Sequence, residues 1–217
     1  MKTAAILGAT GLIGGLLLKR LVATEEYEKI FVLSRHKPEI ENSKCEWIKI
    51  ELEQLSTQKL SADDFFCTIG STIKKAGSQE KFRSIDFTSV IDFASLAKKT
   101  NAKYFGVVSA LGANKDSSVF YNRTKGEMEK AIISCKLARL FIFRPSLLIG
   151  QRSEVRRGEK IGEAISVFIN PFLVGALKKY RPIEAAKVAA AMFQSAQAKG
   201  SNFKIYESDE IASYKAI

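Results

Sequence analysis

The sequence predicts an α/β protein: a doubly wound parallel sheet flanked by helices, with a small C-terminal helical elaboration. Three observations lead there. Short apolar runs of strand character alternate with longer stretches of helical spacing as far as Gly150. The first run passes directly into a glycine loop and then a helix pattern. A hydrophobic content of 46% suffices to bury both faces of such a sheet, and 217 residues suit one domain, 1–217, whose segment 151–217 is the substrate-side elaboration.

The opening strand is Thr3-Ala4-Ala5-Ile6-Leu7. Gly8-Ala9-Thr10-Gly11-Leu12-Ile13-Gly14 follows as G-x-x-G-x-x-G, and Leu12, Leu16, Leu17 and Leu21 start a helix within it. Glycines let the backbone turn tightly and let a pyrophosphate come close, while the helix N-terminus offers N–H groups and partial positive charge. Gly8, Thr10, Gly11, Leu12, Ile13 and Gly14 are therefore candidate dinucleotide contacts. Glycine turns between strand and helix are common, so the N-terminal position and the strand that follows carry the weight. The uncharged stretch from Thr3 to Leu18 is too short to span a membrane and runs into Lys19-Arg20 without a cleavage site, so it reads as strand plus helix.

The second strand is Lys29 to Ser34, the third about Glu46 to Glu51, and the fourth Phe65 to Thr68, ending at Gly70. A long amphipathic helix covers Gln79 to Thr100, with Phe82, Ile85, Val90, Phe93, Ala94 and Ala97 near helical spacing. Tyr104 to Val108 is the fifth strand, closed by Ser109; a helix covers Phe120 to Cys135; Leu140 to Phe143 is the sixth strand. In open parallel sheets, ligands gather outside the carboxyl ends of the strands. Those ends add Glu51, Leu52, Thr68, Ile69 and Gly70 to the cofactor contacts.

The end of the second strand selects the nucleotide. A carboxylate there would bind the adenosine ribose and favour NAD. This chain instead has Ser34-Arg35-His36-Lys37. Arg35 can fork onto a 2′-phosphate and His36 can add a donor, so NADP is preferred over NAD. The plain alternative for Arg35 is a surface arginine.

Ser109 closes the fifth strand, and Tyr121 and Lys125 lie four apart on the next helix, on one face. A tyrosine beside an ammonium can move a proton to or from a carbonyl or alcohol, and a serine can hydrogen-bond the same oxygen. Y-x-x-x-K alone is a cheap match in a lysine-rich chain. Its place behind a strand-end serine in a glycine-loop domain gives it meaning.

The glycine loop, Ser109 and Tyr121-x-x-x-Lys125, in this order, resemble the short-chain dehydrogenase/reductase superfamily, and the loop spacing suits its atypical branch. Three further stretches are similar to the HIV-Tat-interactive-protein-like oxidoreductases: Phe66 to Thr72 with Lys75-Ala76-Gly77, Phe143-Arg144-Pro145 with Leu147-Leu148, and Arg152-x-Glu154-x-Arg156-x-Gly158-Glu159. The resemblance implies a Rossmann-like NADP-binding domain. It implies Ser109 as carbonyl anchor, Tyr121 as proton donor and Lys125 as its activator and ribose contact. It also implies that Pro145, Leu147 and Leu148 pass beside the nicotinamide. Many active members carry an asparagine on the long central helix; the polar residue near that place here is Asp86.

After Gly150 the strand rhythm stops. A basic loop, Gln151 to Lys160, leads into Ile161, Ile165, Phe168, Phe172 and Leu173. It reads equally as a lid that draws in an anionic substrate and as a charge network tying down the C-terminal helices; a membrane-surface or subunit contact is a third option. The net charge of +11 is concentrated after residue 110, where 18 Lys/Arg face 10 Asp/Glu. No lysine–arginine run with interleaved aromatics occurs, which argues against nucleic acid. No other segment reaches transmembrane length. Three scattered cysteines and one histidine offer no metal site and suit free thiols in a reducing cytosol.

These readings converge on a cytoplasmic NADP-dependent oxidoreductase acting on a small molecule, an anionic one being among the options, with homo-oligomers left open. Two rivals stand beside it. One is a non-catalytic NADP(H)-sensing partner protein. The other is an epimerase or dehydratase, for which 217 residues leave little substrate domain.

Overall fold

In a computed structural model of the chain, the structure describes residues 1–150 and 174–216. The expected 151–160 loop and the apolar stretch 161–173 therefore lie outside the described residues. The chain runs β1 (Lys2–Leu7), α1 (Leu12–Ala23), β2 (Tyr27–Ser34), β3 (Cys45–Lys49), a 3₁₀ turn (Leu52–Thr57), β4 (Asp64–Cys67), α2 (Ile73–Ala76) and α3 (Gln79–Arg83). A π-helical turn (Ser84–Thr88), α4 (Ser89–Lys99), β5 (Tyr104–Val108), α5 (Phe120–Ser134), β6 (Leu140–Arg144) and β7 (Leu148–Ile149) follow. The chain ends with a 3₁₀ turn (Gly175–Tyr180), β8 (Ile183–Glu184), α6 (Ala185–Gln197), β9 (Phe203–Glu207) and α7 (Ser208–Ala212).

Seven strands form one parallel sheet in the order β3-β2-β1-β4-β5-β6-β9. The chain leaves β1 towards one edge, returns, and continues from β4 towards the other. The strand order thus reverses between β1 and β4, where a doubly wound sheet opens its ligand crevice. The C-terminal segment is not purely helical. It supplies β9, which pairs with β6 from Leu140↔Phe203 to Arg144↔Glu207, and β8, which pairs with β7.

Burial on both faces explains the unbroken apolar strands. Along β1, Ala4 and Ile6 pack with Leu17, Leu18 and Leu21 of α1 and Val188 and Met192 of α6. Ala5 and Leu7 face the other way, with Phe65, Phe93, Phe105, Met128 and Ile132. Truncating a ring as buried as Phe93 to Ala would cost ~3–5 kcal/mol.

The long central helix departs from a regular α-helix. The backbone N–H and the Oγ of Ser89 both reach back to the Ser84 carbonyl, five residues earlier. That turn is wound wider than the α-helix on either side. Ile85 is half-buried, and Asp86, four residues from buried Phe82 and Val90, takes the inward place.

Candidate functional site

The glycine loop sits at the carboxyl end of β1, against the loop after β4. Gly8 has φ +93°, and a Cβ there would lie 2.7 Å from the Ile69 nitrogen. A Cβ on Gly14 would lie 2.1 Å from the Gly8 carbonyl oxygen and 2.5 Å from Thr68 Oγ1. Both glycines let backbone meet backbone. Thr68 locks the contact by donating through its hydroxyl to the Leu7 carbonyl at 3.0 Å. Gly11 differs: its nearest neighbour for a Cβ is the Gly8 oxygen at 3.3 Å, and it is exposed at the N-cap of α1 with no side-chain cap. The first turn of α1 therefore keeps N–H groups for a ligand. Thr10 is exposed beside it, Leu12 is half-buried and Ile13 is buried. A Cβ on Gly150 would touch Leu12 Cδ1 at 3.3 Å, which brings the chain after β7 to the rim of the loop. A cradle of this shape, with Gly11 exposed at a helix N-terminus, fits a pyrophosphate.

At the end of β2, Ser34 donates to the His36 carbonyl at 2.6 Å, and Trp47 Nε1 donates to Ser34 Oγ at 3.1 Å. This tie shapes the turn that presents Arg35 and His36 to solvent. Trp47 was not among the expected site residues. Glu51 caps the 3₁₀ turn through a reciprocal pair with Gln54, so it has a structural task; Leu52 is half-buried. Pro145 is buried and accepts from the Leu111 N–H at 2.9 Å, Leu147 is 56% exposed, and Leu148 packs against the core from β7.

Helix α5 holds the chemistry-bearing side chains. It seats on the preceding loop because Gly126 has no side chain: a Cβ there would lie 2.1 Å from the Lys115 nitrogen. Tyr121, in its first turn, is half-buried with its ring 5.3 Å from that of Phe82. Lys125 is buried, and its Nζ lies 2.7 Å from Asp86 Oδ1. The approach is off the hydrogen-bonding direction, so Oδ1 makes an ion pair without a well-formed hydrogen bond. Asp86 Oδ2 accepts from the Ser71 backbone N–H at 2.8 Å. Burial pulls the Lys125 pKa down, but the Asp86 carboxylate and Tyr121 outweigh it, and the net direction is upward. The loop after β4 thus joins the two halves of the site. Thr68 and Ile69 meet Gly8, while a Cβ on Gly70 would lie 3.8 Å from Lys125 Nζ.

Ser109 closes β5, as expected, and its hydroxyl has a partner that the sequence did not point to. It is buried and donates to Glu129 Oε1, two helical turns beyond Tyr121. Arg144 forks onto Glu129 through Nε and Nη2 and reaches Glu207 through Nη1. Glu129 was also missed. Its signal was the i, i+4, i+8 spacing with Tyr121 and Lys125.

No protein-family model matches the chain. Among curated proteins it is similar to "Protein FMP52, mitochondrial" of Candida albicans, 34% identical over 91% of this chain and 88% of that one. It is also similar to rat "Protein HTATIP2", 35% identical over 73% of this chain and 67% of the relative. The chain belongs to the HIV-Tat-interactive-protein-like branch of the atypical short-chain dehydrogenases/reductases. Among solved structures, the Bordetella bronchiseptica enzyme WbmH in complex with NAD+ superposes with TM-score 0.71 over 96% of this chain and 76% of its own, at 14% identity. The Bacillus cereus UDP-glucuronic acid 4-epimerase, in complex with NAD, superposes with TM-score 0.70 over 94% of this chain and 76% of its own, at 12% identity. Both confirm the Rossmann-like fold expected of this branch. The expectation of a cytoplasmic protein falls, because the FMP52 relatives are named as mitochondrial. Among the described residues no helix is long and apolar enough to cross a membrane, and no three His, Cys, Asp or Glu side chains gather as metal ligands.

Proposed function

We propose that the protein is an NADP-dependent oxidoreductase that interconverts a carbonyl and an alcohol on a small molecule. One observation carries this reading: the loop from Thr68 to Ser71 touches the glycine cradle at one end and the buried Lys125–Asp86 pair at the other. A nucleotide held by the cradle would extend along that loop towards Lys125 and Tyr121. The nicotinamide supplies or accepts the hydride when bound. Gly8, Thr10, Gly11, Leu12, Ile13 and Gly14 form the pyrophosphate cradle, and Arg35 and His36 offer donors to a 2′-phosphate. Glu51, Leu52, Thr68, Ile69 and Gly70 line the crevice, and Pro145, Leu147 and Leu148 flank its far end. Tyr121 gives or takes the proton at the substrate oxygen, and Lys125 supports it as an ammonium. The relatives' names favour a mitochondrial setting.

The engagement of Ser109 with Glu129 supports a second reading, an NADP(H)-sensing protein that lacks turnover, because the hydroxyl of the expected anchor already donates its hydrogen bond to a carboxylate. Binding comes first in separating them. NADPH should bind at least about tenfold tighter than NADH, equivalent to about 1.4 kcal/mol, and Arg35→Ala should erase most of that difference. Equal affinities in calorimetry would end the NADP assignment. A thermal-shift screen of metabolites with NADPH present, followed by absorbance assays on the hits, then tests for turnover.

A further inference from the structure

The buried pair Asp86–Lys125 is unusual in how it is built. Asp86 is fully buried, sits within the π-helical turn of the central helix and reaches Lys125 from there. The carboxylate is pinned on one side by the Ser71 N–H at 2.8 Å and meets Lys125 on the other at 2.7 Å. Gly70 lies directly against the pair, since a Cβ there would lie 3.4 Å from Oδ1 and 3.8 Å from Nζ. An isolated ammonium so deeply buried would shed its proton.

We propose that Asp86 is the positioning residue of Lys125: its carboxylate keeps the lysine an ammonium inside a closed pocket and fixes that ammonium beside Gly70, one helical turn from Tyr121. The use of this ammonium towards nucleotide and Tyr121 rests on the proposed function; its charge state does not. The pair is neutral as a whole. Lys125 therefore acts at short range, through its N–H groups, rather than as a lone charge. A neutral lysine would offer a weaker donor and would accept hydrogen bonds where the site requires donation. Among the described residues, the groups facing Lys125 are Asp86 from the π turn, Tyr121 from α5 and Cys67 from β4. Burial pushes the Cys67 thiol up to about 12, so it stays uncharged across the neutral range.

The test is a pH titration of the nucleotide-free full chain, followed by NMR on the ε-carbon of isotope-labelled lysine. Loss of the signal in Lys125→Met assigns it. In the parent protein Lys125 should keep its ammonium shift throughout the folded pH range. In Asp86→Asn its midpoint should fall by at least about one pH unit, and Asp86→Glu should restore most of the loss. An unchanged midpoint in Asp86→Asn, or a neutral Lys125 in the parent at neutral pH, overturns the proposal. Should Asp86→Asn fail to fold, thermal melts of Lys125→Met and of the double variant Asp86→Asn/Lys125→Met decide. In Lys125→Met the unpaired Asp86 should make the melting temperature drop as pH rises from acid to neutral, and the double variant should lose that dependence. Identical pH curves for the two overturn the proposal. No nucleotide enters these measurements, so a protein that binds neither NADP nor NAD would end the proposed function and leave this result readable.

Discussion

Ser109 Oγ donates a 2.5 Å hydrogen bond to Glu129 Oε1, and the same carboxylate takes the Arg144 fork at 2.9 and 2.5 Å. This joins the ends of β5 and β6 through α5, and Glu207 extends it to β9 at 2.9 Å. The residue after Ser109, Ala110, has no hydroxyl to take over the anchoring role. Ser109→Ala should therefore act on stability, by about 2 kcal/mol, as expected for a hydrogen bond to a charged group. Glu129→Gln should cost more, about 3 kcal/mol, because it leaves Arg144 with Glu207 alone. Urea denaturation measures both. A Ser109→Ala protein as stable as its parent would show that the bond contributes nothing and would return Ser109 to the list of substrate contacts.

The glycines of the first loop should separate into two kinds. Gly8→Val and Gly14→Val place a side chain into backbone and should prevent folding. Gly11→Ala is tight rather than blocked, with its Cβ 3.3 Å from the Gly8 carbonyl oxygen, and its φ of −86° is open to any residue. It should fold with a near-parental circular dichroism spectrum and lose at least about tenfold in nucleotide affinity, or 1.4 kcal/mol. Undiminished binding in Gly11→Ala would make the loop a structural turn only.

Much of this was readable from the residues. Strands with continuous apolar runs, such as Tyr104–Val108, stand where the pattern puts them because both faces are buried. β9 was not readable in the same way. Its Phe203 is 48% exposed and it lies at the sheet edge, so it carries no continuous apolar signal. Tyr121 and Lys125 were legible from their spacing and context. The buried partners were not. Asp86 stands four residues from buried Phe82 and Val90, but its pairing with Lys125 and the Ser71 N–H comes from other elements, and the link from Ser109 to Glu129 depends on how α5 seats on Asn114 and Lys115 at Gly126.

At the opposite end of the sheet, Tyr27 donates to Asp64 Oδ2 at 2.6 Å, and Lys2 Nζ lies 3.3 Å away. Burial still pushes the Asp64 pKa up. The native state therefore binds this proton more tightly than the unfolded chain does. Its penalty is absent at low pH and grows as pH rises through the unfolded carboxylate value, about 3.9, until the native group also ionises. Asp64→Asn should thus gain stability relative to the parent as pH rises above about 4. Melting temperatures of the two proteins across the acid range check this; a constant difference would mean that Asp64 titrates normally.

Tyr121→Phe separates enzyme from sensor. The change removes one oxygen and keeps the ring that packs on Phe82. If Tyr121 moves the proton, turnover with any substrate found should fall ~10²–10⁴-fold, as when a positioned general acid is lost. Nucleotide affinity should barely change. Lys125→Met should behave differently, because it also strips Asp86 of its cation and removes a group next to the loop at Gly70. Turnover, nucleotide affinity and stability should then all fall together. A sensor would show the second pattern without the first: Tyr121→Phe silent in every assay, Lys125→Met damaging to nucleotide binding. The Ser109–Glu129 bond sharpens the comparison. With Ser109 already donating to a carboxylate, Tyr121 is the remaining hydroxyl of the expected pair with a proton to give, so Ser109→Ala should reduce turnover far less than Tyr121→Phe. Equal losses in the two would mean that Ser109 leaves Glu129 for the substrate during the reaction.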